Sequence, residues 1–475
     1  MARSGGKDFV SMNIYEMLEV FSHPPTEFFI FRLHEELRQL NDKAYDPEII
    51  SIGPYHRGKQ NLQMMERHKL RYFHSLLQEK NLSPEDFVYA IGSLELHACD
   101  FYAEPISLDS DEMIKMMVLD GCFIIELLRK FDMEFLRDEN DPIFKRDWIF
   151  NRLQRDLMLF ENQIPFFVLC KLFDMIEAPN NHNRLIYLAL RFFSDLLPGT
   201  GKREDGKESQ GKISHLLGLI HSNWHPSFAG VEPVEDASNK KGKGNWRFIP
   251  NTRELQESGV KIEKFEVTGG SLFDIEFKNG VMQIPPLTIE GRTESFFRNL
   301  IAYEQYSPDN QFSYVADYVK FLDFLIDSPK DVKILSRRGI IDNWLGDDEA
   351  VSNLFNKISD TVSGTSMHFR YADIFNRVNI HCSRPWNLYR ASLNRNYLNN
   401  PWGRISILAA LVLLLLTLTQ TLFTVFVGNC NCWSNKIDGH NFLVRVSVCS
   451  SLSSLNSPFV ITLTIFIHIC IICMY

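Results

Sequence analysis

The sequence predicts a mainly α fold: a multi-helix globular domain with a small β-hairpin insertion, followed by a C-terminal transmembrane helix. Three observations carry this. Apolar residues recur at helical spacing through most of the chain. One stretch, centred on Asn279-Gly280, alternates as paired strands do. Ile405 to Val427 runs 23 residues without a charge or a proline. At about 1.5 Å per residue that run spans about 35 Å, enough to cross the roughly 30 Å of bilayer hydrocarbon with some tilt. Trp402 precedes it at headgroup depth, with Arg404 as a snorkelling cation.

Residues 1–25 read as a loosely ordered N-terminus ending at Pro24-Pro25. Residues 26–399 read as one mainly helical domain. A first helix is predicted from Thr26, as N-cap, to Leu40, with Phe29, Leu33, Leu37 and Leu40 on one face. Ile49 to Ile52 is then a short extended segment, and Gly53-Pro54 and Gly58 turn the chain. The next helix, near Asn61 to Glu79, gathers Leu62, Met65, Leu70, Tyr72, Phe73, Leu76 and Leu77 within about 160° of arc. Glu66 and Lys69 fall inside the same arc at a spacing that lets them pair. An internal ion pair is the expected role, ahead of a catalytic carboxylate. His56, His68 and His74 suggest a metal at first sight, but 68 and 74 lie on opposite sides of the helix, so no metal is expected.

Ser83-Pro84-Glu85-Asp86 is a helix start, with proline at the first helical position and acids in the first turn. Another helix begins at Ser110-Asp111-Glu112 and ends at Arg129-Lys130, its charges matched to the macrodipole at both ends. Its middle is apolar nearly all round, which makes it central to the core and places Asp120 and Glu126 in buried, structural positions. Gly121 points to close helix approach. Ile149, Leu153, Leu157, Phe160, Ile164, Val168 and Leu172 mark a long helix kinked at Pro165, with the amides of Asn162 and Gln163 serving the backbone that the proline frees. Glu161 to Pro165 is a candidate site.

Two polar linkers follow, 198–211 and 227–245, expected to be flexible. Gly199-Thr-Gly-Lys202 in the first lacks the glycine that a phosphate loop needs at 196, where leucine stands. Leu272 to Ile284 is a hairpin about an Asn-Gly type I′ turn, ended by Pro285-Pro286. Helices are predicted at Thr293–Tyr306, Ser313–Ile326, Ser328–Arg338, Asp347–Asp360 and from Ala372 to Asn399. After the membrane helix, residues 428–475 form an atypical tail. Its apolar run from Phe459 to Tyr475 reads as an aberrant C-terminus, with a second membrane segment as the alternative.

The net charge of −9 offers no basic face for nucleic acid. The first residues show no apolar signal-peptide region. Of nine cysteines, only Cys99, Cys122, Cys170 and Cys382 precede the membrane run, scattered as in a reduced domain. Arg390, Arg395 and Arg404 flank that run on one side; Lys436 and Arg445, with Asp438, flank it on the other. The one-cation bias places the large domain in the cytosol.

Several stretches resemble one plant family, the membrane proteins with domain of unknown function 247 (UPF-0481 type). They are Ile50-Ser-Ile-Gly-Pro-Tyr-His-Arg57, Met65-Glu-Arg-His-Lys-Leu-Arg-Tyr72, Asp120-Gly-Cys-Phe-Ile-Ile-Glu-Leu-Leu128 and Glu161-Asn-Gln-Ile-Pro-Phe-Phe-Val-Leu169. The second half adds Ile249-Pro-Asn-Thr-Arg-Glu-Leu255, Phe277 to Ile289, Phe297 to Gln305 and Asn400-Pro-Trp402. The resemblance covers about residues 28–427. It implies a C-terminal anchor at the plasma membrane and brings no established catalytic residues or cofactor. Some grass relatives are implicated in self-incompatibility. The leading expectation is a membrane-anchored interaction or signalling protein, its partners being the lipid bilayer and an unidentified protein. The alternative is an uncharacterised enzyme using Glu66, Asp120 and Glu161 near the Tyr55-His56 turn. Convergence of those groups on one pocket separates the second reading from the first.

Overall fold

The computed structural model describes residues 11–12, 14–15, 28–177, 179–196, 213–224, 247–265, 271–307, 313–362, 369–384 and 401–434. The chain divides into two compact units, residues 1–392 and 393–475. Among the described residues the first unit is mainly helical with five short strands, as the sequence predicts. The two polar linkers, the Gly199–Lys202 stretch and the apolar run 459–475 lie outside the described residues.

The N-terminal half is organised by α5 (Ser110–Asp132), against which α2 (Gln63–Lys80), α3 (Pro84–Gly92), α7 (Phe166–Ile176) and α8 (His182–Phe192) pack. Met113 and every residue from Met116 to Lys130 are buried, so this helix is enclosed on all sides. Gly121 makes that possible at one crossing: a β-carbon there would stand 2.3 Å from Leu172 Cδ1. Asp109, one residue before the predicted start, caps the helix by accepting from the Glu112 amide at 2.9 Å. Ser83 and Asp86 close a reciprocal capping box on α3, with Pro84 at its first turn.

Three sequence expectations are corrected here. The helix predicted from Thr26 to Leu40 is only α1 (Glu35–Leu40), and Thr26 lies outside the described residues. Phe29 and Ile30 instead donate their amides to the Phe101 carbonyl, and Ala103 donates back to Ile30. Burial of Ile30 by this cross-chain pairing outweighs a helical apolar pattern. Leu70, placed on the buried arc of α2, is 54% exposed. The long helix kinked at Pro165 is in fact two, α6 (Asp147–Leu157) and α7, with α4 (Glu95–Cys99) preceding them in the chain. Residues 158–165 between them are non-helical, because Pro165 withdraws a donor exactly where the buried polar side chains of 161–163 offer the backbone other partners.

In the second half, α9 (Leu216–Asn223) and α10 (Thr252–Glu257) lead to β1 (Lys261–Lys264). β2 (Glu276–Lys278) and β3 (Val281–Ile284) form the predicted hairpin, shorter than expected. Asn279 (φ 53°) and Gly280 (φ 79°) both take the left-handed region that a type I′ turn demands. β1 adds parallel to β3, giving the order β1-β3-β2. β4 (Leu287–Ile289) pairs in parallel with β5 (Ile341–Asn343), a second sheet the sequence reading missed. Around them pack α11 (Thr293–Tyr306), α12 (Tyr314–Leu325), α13 (Pro329–Arg337) and α14 (Asp348–Ser359), all near their predicted bounds. α15 runs Ala372–Cys382; residues 385–399 of that predicted helix lie outside the described ones.

The described helix of the second unit is α16, Pro401–Ser434. Its window Trp402–Leu422 has a mean hydropathy of 2.3, and none of it is buried. The hydroxyls of Thr417, Thr421 and Thr424 each donate to a carbonyl three or four residues back. These hydroxyls are thus satisfied within the helix itself.

Candidate functional site

Three of the buried polar side chains singled out by sequence, Lys69, Asp120 and Asn162, converge on one stretch of backbone, residues 48–57. An irregular segment in a protein interior carries amides and carbonyls that no ladder satisfies, and each such group left unpaired is costly. Here side chains from α2, α5 and the α6–α7 connection supply the partners.

From α5, Asp120 accepts the Gly53 amide at 2.9 Å through one carboxylate oxygen. Its other oxygen lies 2.6 Å from Lys69 Nζ on α2. Lys69 also donates to Glu66 at 2.6 Å and to the Ser51 carbonyl at 2.5 Å. Both Lys69 and Asp120 are 1% exposed, whereas the Glu66 side chain is 29% exposed. The i, i+3 pair predicted on α2 is present, but the buried partner of Lys69 is Asp120. Burial pushes the Asp120 carboxyl above its ordinary range, with Lys69 and the Gly53 amide pulling against it.

From the α6–α7 connection, Asn162 accepts the Ile52 amide at 2.7 Å and donates to the carbonyls of Ile50 and Asp156. Gln163 donates to the Leu157 and Leu159 carbonyls at 2.8 and 2.9 Å, and accepts the Leu217 amide at the start of α9. These amides serve carbonyls at and just beyond the end of α6 and in the loop, not the Glu161 carbonyl that a helix kinked at Pro165 would free. Glu161 accepts the Leu33 amide at 2.7 Å and pairs with Arg38 of α1 at 2.5 Å. His56 Nε2 stands 3.4 Å from the same carboxylate, at ion-pair distance but out of line for a hydrogen bond. Burial would raise the Glu161 carboxyl, yet His56, the Leu33 amide and Arg38 together hold it below its usual range. Tyr55 donates to Glu104 at 2.5 Å and stacks under the Arg32 guanidinium, 4.8 Å from its ring centre. Burial, then Glu104, pushes its phenol well up.

Sequence reasoning missed Asp156, the most heavily used of these groups. Fully buried at the end of α6, it accepts the amides of Glu48, Ile49 and Ile50 at 3.0, 2.8 and 3.1 Å, and pairs with Arg155 at 2.7 Å. A signal was there: Asp156 lies three residues after Leu153 and seven after Ile149, on the apolar stripe itself. Arg38 carried no such signal, because its helix is too short to show a pattern.

The arrangement limits the chemistry. Both oxygens of Asp120, Asp156 and Glu161 are engaged by protein donors, and all three residues are at most 2% exposed. A general acid or base must reach a substrate proton within about 3 Å, and these carboxylates face backbone amides and the cations Lys69, Arg155 and Arg38. Among the described residues no group of three or more His, Cys, Asp or Glu side chains is placed to hold a metal. What the geometry does is fix a loop.

Comparison with known proteins agrees with the sequence resemblance. The profile of a plant family of unknown function, DUF247, matches residues 30–416. The UPF0481 protein At3g47200 of Arabidopsis thaliana is 32% identical, over 82% of this chain and 85% of that protein. The putative UPF0481 protein At3g02645 of the same plant is 24% identical, over 84% and 90%. No solved structure matches the chain.

Proposed function

This chain belongs to the plant DUF247 family, and we propose that it is a membrane-anchored recognition protein whose helical domain presents an interaction surface at the bilayer. The observation that carries the reading is α16, with a 21-residue window of mean hydropathy 2.3. A soluble fold buries such a surface, and a bilayer is the solvent that accepts it exposed. The clamped loop supports the same reading: its interior acids are spent on backbone amides and cations, which leaves the domain a rigid scaffold. We place the domain on the cytosolic face, with the plasma membrane as the site and an unidentified protein as the partner.

The test is proximity labelling in native plant tissue from a ligase fused to the N-terminus, comparing the full chain with a form ending before Arg404. Enrichment of a defined partner set at the membrane by the full chain, lost with the truncation, supports the reading. Equal labelling of soluble proteins by both forms overturns it.

A further inference from the structure

Beside β4 and β5 lies a cavity of about 270 Å³ that the clamped loop does not touch. Four aromatic side chains line it: Trp224, Phe296, Phe297 and Trp344. Trp344 is 69% exposed, yet it is not loosely held. Its amide donates to the Ile289 carbonyl at 2.9 Å, which extends the β4–β5 pairing, and its indole N–H donates to Asp342 at 2.8 Å. A carboxylate on the ring edge makes the indole face more attractive to positive charge. A large aromatic ring kept ordered and open to solvent at a cavity mouth is a surface prepared for contact.

The charge around the cavity is lopsided. Asp195 and Glu290 line it, and Asp342 is bonded to its wall, against the single guanidinium of Arg292. That guanidinium is already engaged, by Glu290 at 2.7 Å, by Gln154 at 2.5 Å and by Asp195 at 3.4 Å. Among the described residues three carboxylates stand against one cation, which makes this lining acidic. Aromatic faces with an excess of negative charge nearby favour an organic cation, by cation–π attraction and by Coulomb attraction together. The volume sets the size: it lies just below the range of about 300–1,000 Å³ typical of ligand pockets, which suits a single ring or a compact ammonium group.

We propose that this cavity binds a small organic cation with an apolar body, such as an aromatic or quaternary ammonium compound, held against Trp344 with its charge toward Asp195 and Glu290. The test uses the purified full chain in dodecyl maltoside, an uncharged detergent, with phenyltrimethylammonium as probe and saturation-transfer difference NMR as readout. Benzyl alcohol and phenylacetate are the neutral and anionic comparisons. The cation should bind more tightly than either, and Trp344→Ala should weaken it about fivefold or more, the scale of a lost cation–π contact. Asp195→Asn, at a half-exposed position, removes charge while keeping shape, and should weaken the cation while leaving benzyl alcohol unchanged. Melting curves that match the parent show both variants folded. Equal binding of phenylacetate or benzyl alcohol, or cation binding indifferent to both substitutions, overturns the proposal.

Discussion

Lys69 shows at single-residue scale how the interior is balanced. Among the described residues it is the one cation within bonding distance of both Glu66 and Asp120, and the two acids are not equivalent, because only Asp120 is buried with it. Removing the buried partner leaves a desolvated ammonium balanced only by the half-screened Glu66, which costs up to about 3–5 kcal/mol. Removing an acid that solvent already screens costs about 1 kcal/mol or less. Asp120→Asn is therefore expected to lower the urea midpoint far more than Glu66→Gln, and the reverse order would show that the pairing is misassigned. His215 offers a second test, by pH. Burial, outweighing the nearby Phe29 backbone, depresses its pKa to about 3, and its Nδ1 accepts the Gly218 amide at the start of α9. A base whose folded pKa lies below its unfolded value binds protons first in the unfolded chain. Its effect is absent above pH 6.5 or so and grows as pH falls from there toward 3, each unit favouring unfolding by about 1.4 kcal/mol. Glu161 also favours unfolding on acidification, but only as pH falls from the ordinary carboxylate pKa through its own depressed value. In His215→Asn, which keeps a capping acceptor, unfolding free energies measured from pH 6.5 to 5 should depend less steeply on pH than in the parent. An unchanged slope would mean that His215 does not titrate in this way.

Among the elements, the loop 48–57 makes the sharpest demand on backbone geometry. Gly53 has φ of +76°, and a β-carbon there would meet the Gln163 carbonyl oxygen at 2.3 Å. Gly58 has φ of +84° with nothing within 4 Å. The two glycines thus separate strain from collision. Gly58→Ala should cost about 1 kcal/mol, the backbone penalty alone. Gly53→Ala adds a clash with backbone that cannot rotate away and should cost several-fold more, about 3 kcal/mol, read by thermal unfolding. If the two cost the same, the close approach of the loop to residue 163 is wrong. The glycines, Asn162, Gln163, Lys69 and Asp120 were all legible from sequence, because a turn residue, a proline or a charge on an apolar face is a local signal. What those side chains bind was not legible, since Asp120 and Gly53 are far apart in sequence and meet only when α5 packs on α2. For the same reason the 276–284 hairpin could be read off its Asn-Gly turn, while the parallel pairing of β4 with β5 could not: no turn joins those strands. The helix predicted from Thr26 failed because Phe29, Leu33, Leu37 and Leu40 stand at helical spacing, while the segment around Phe29 and Ile30 is held by the Phe101 backbone and Leu40 is 44% exposed.

At the scale of the whole chain the question is where α16 resides and which side the domain faces. A form ending before Arg404 is expected to stay soluble after carbonate extraction, while the full chain stays with the membrane. Orientation rests on a thinner base, the cations that flank the span. Arg390, Arg395 and Arg404 precede it without an acid, and Lys436 and Arg445, offset by Asp438, follow. Each flanking cation resists translocation, so the side with the larger count stays in the cytosol, and a margin of one is small enough that substitution should shift it. The only Asn-x-Ser/Thr sequence before the span, Asn81-Leu-Ser83, is followed by Pro84 and is a poor acceptor, so the chain carries no good reporter of its own. An acceptor introduced near Ser238 supplies one. With the domain in the cytosol that site stays unmodified, and protease added to intact cells leaves the domain whole. Replacing Arg390 and Arg395 by glutamine reverses the bias, to one cation before the span against two after, and a fraction of the chains should then become glycosylated. Glycosylation of the parent reporter would instead invert the topology, turning the helical domain and its acidic aromatic cavity toward the cell exterior. A recognition role would survive that inversion, with its partners drawn from outside the cell.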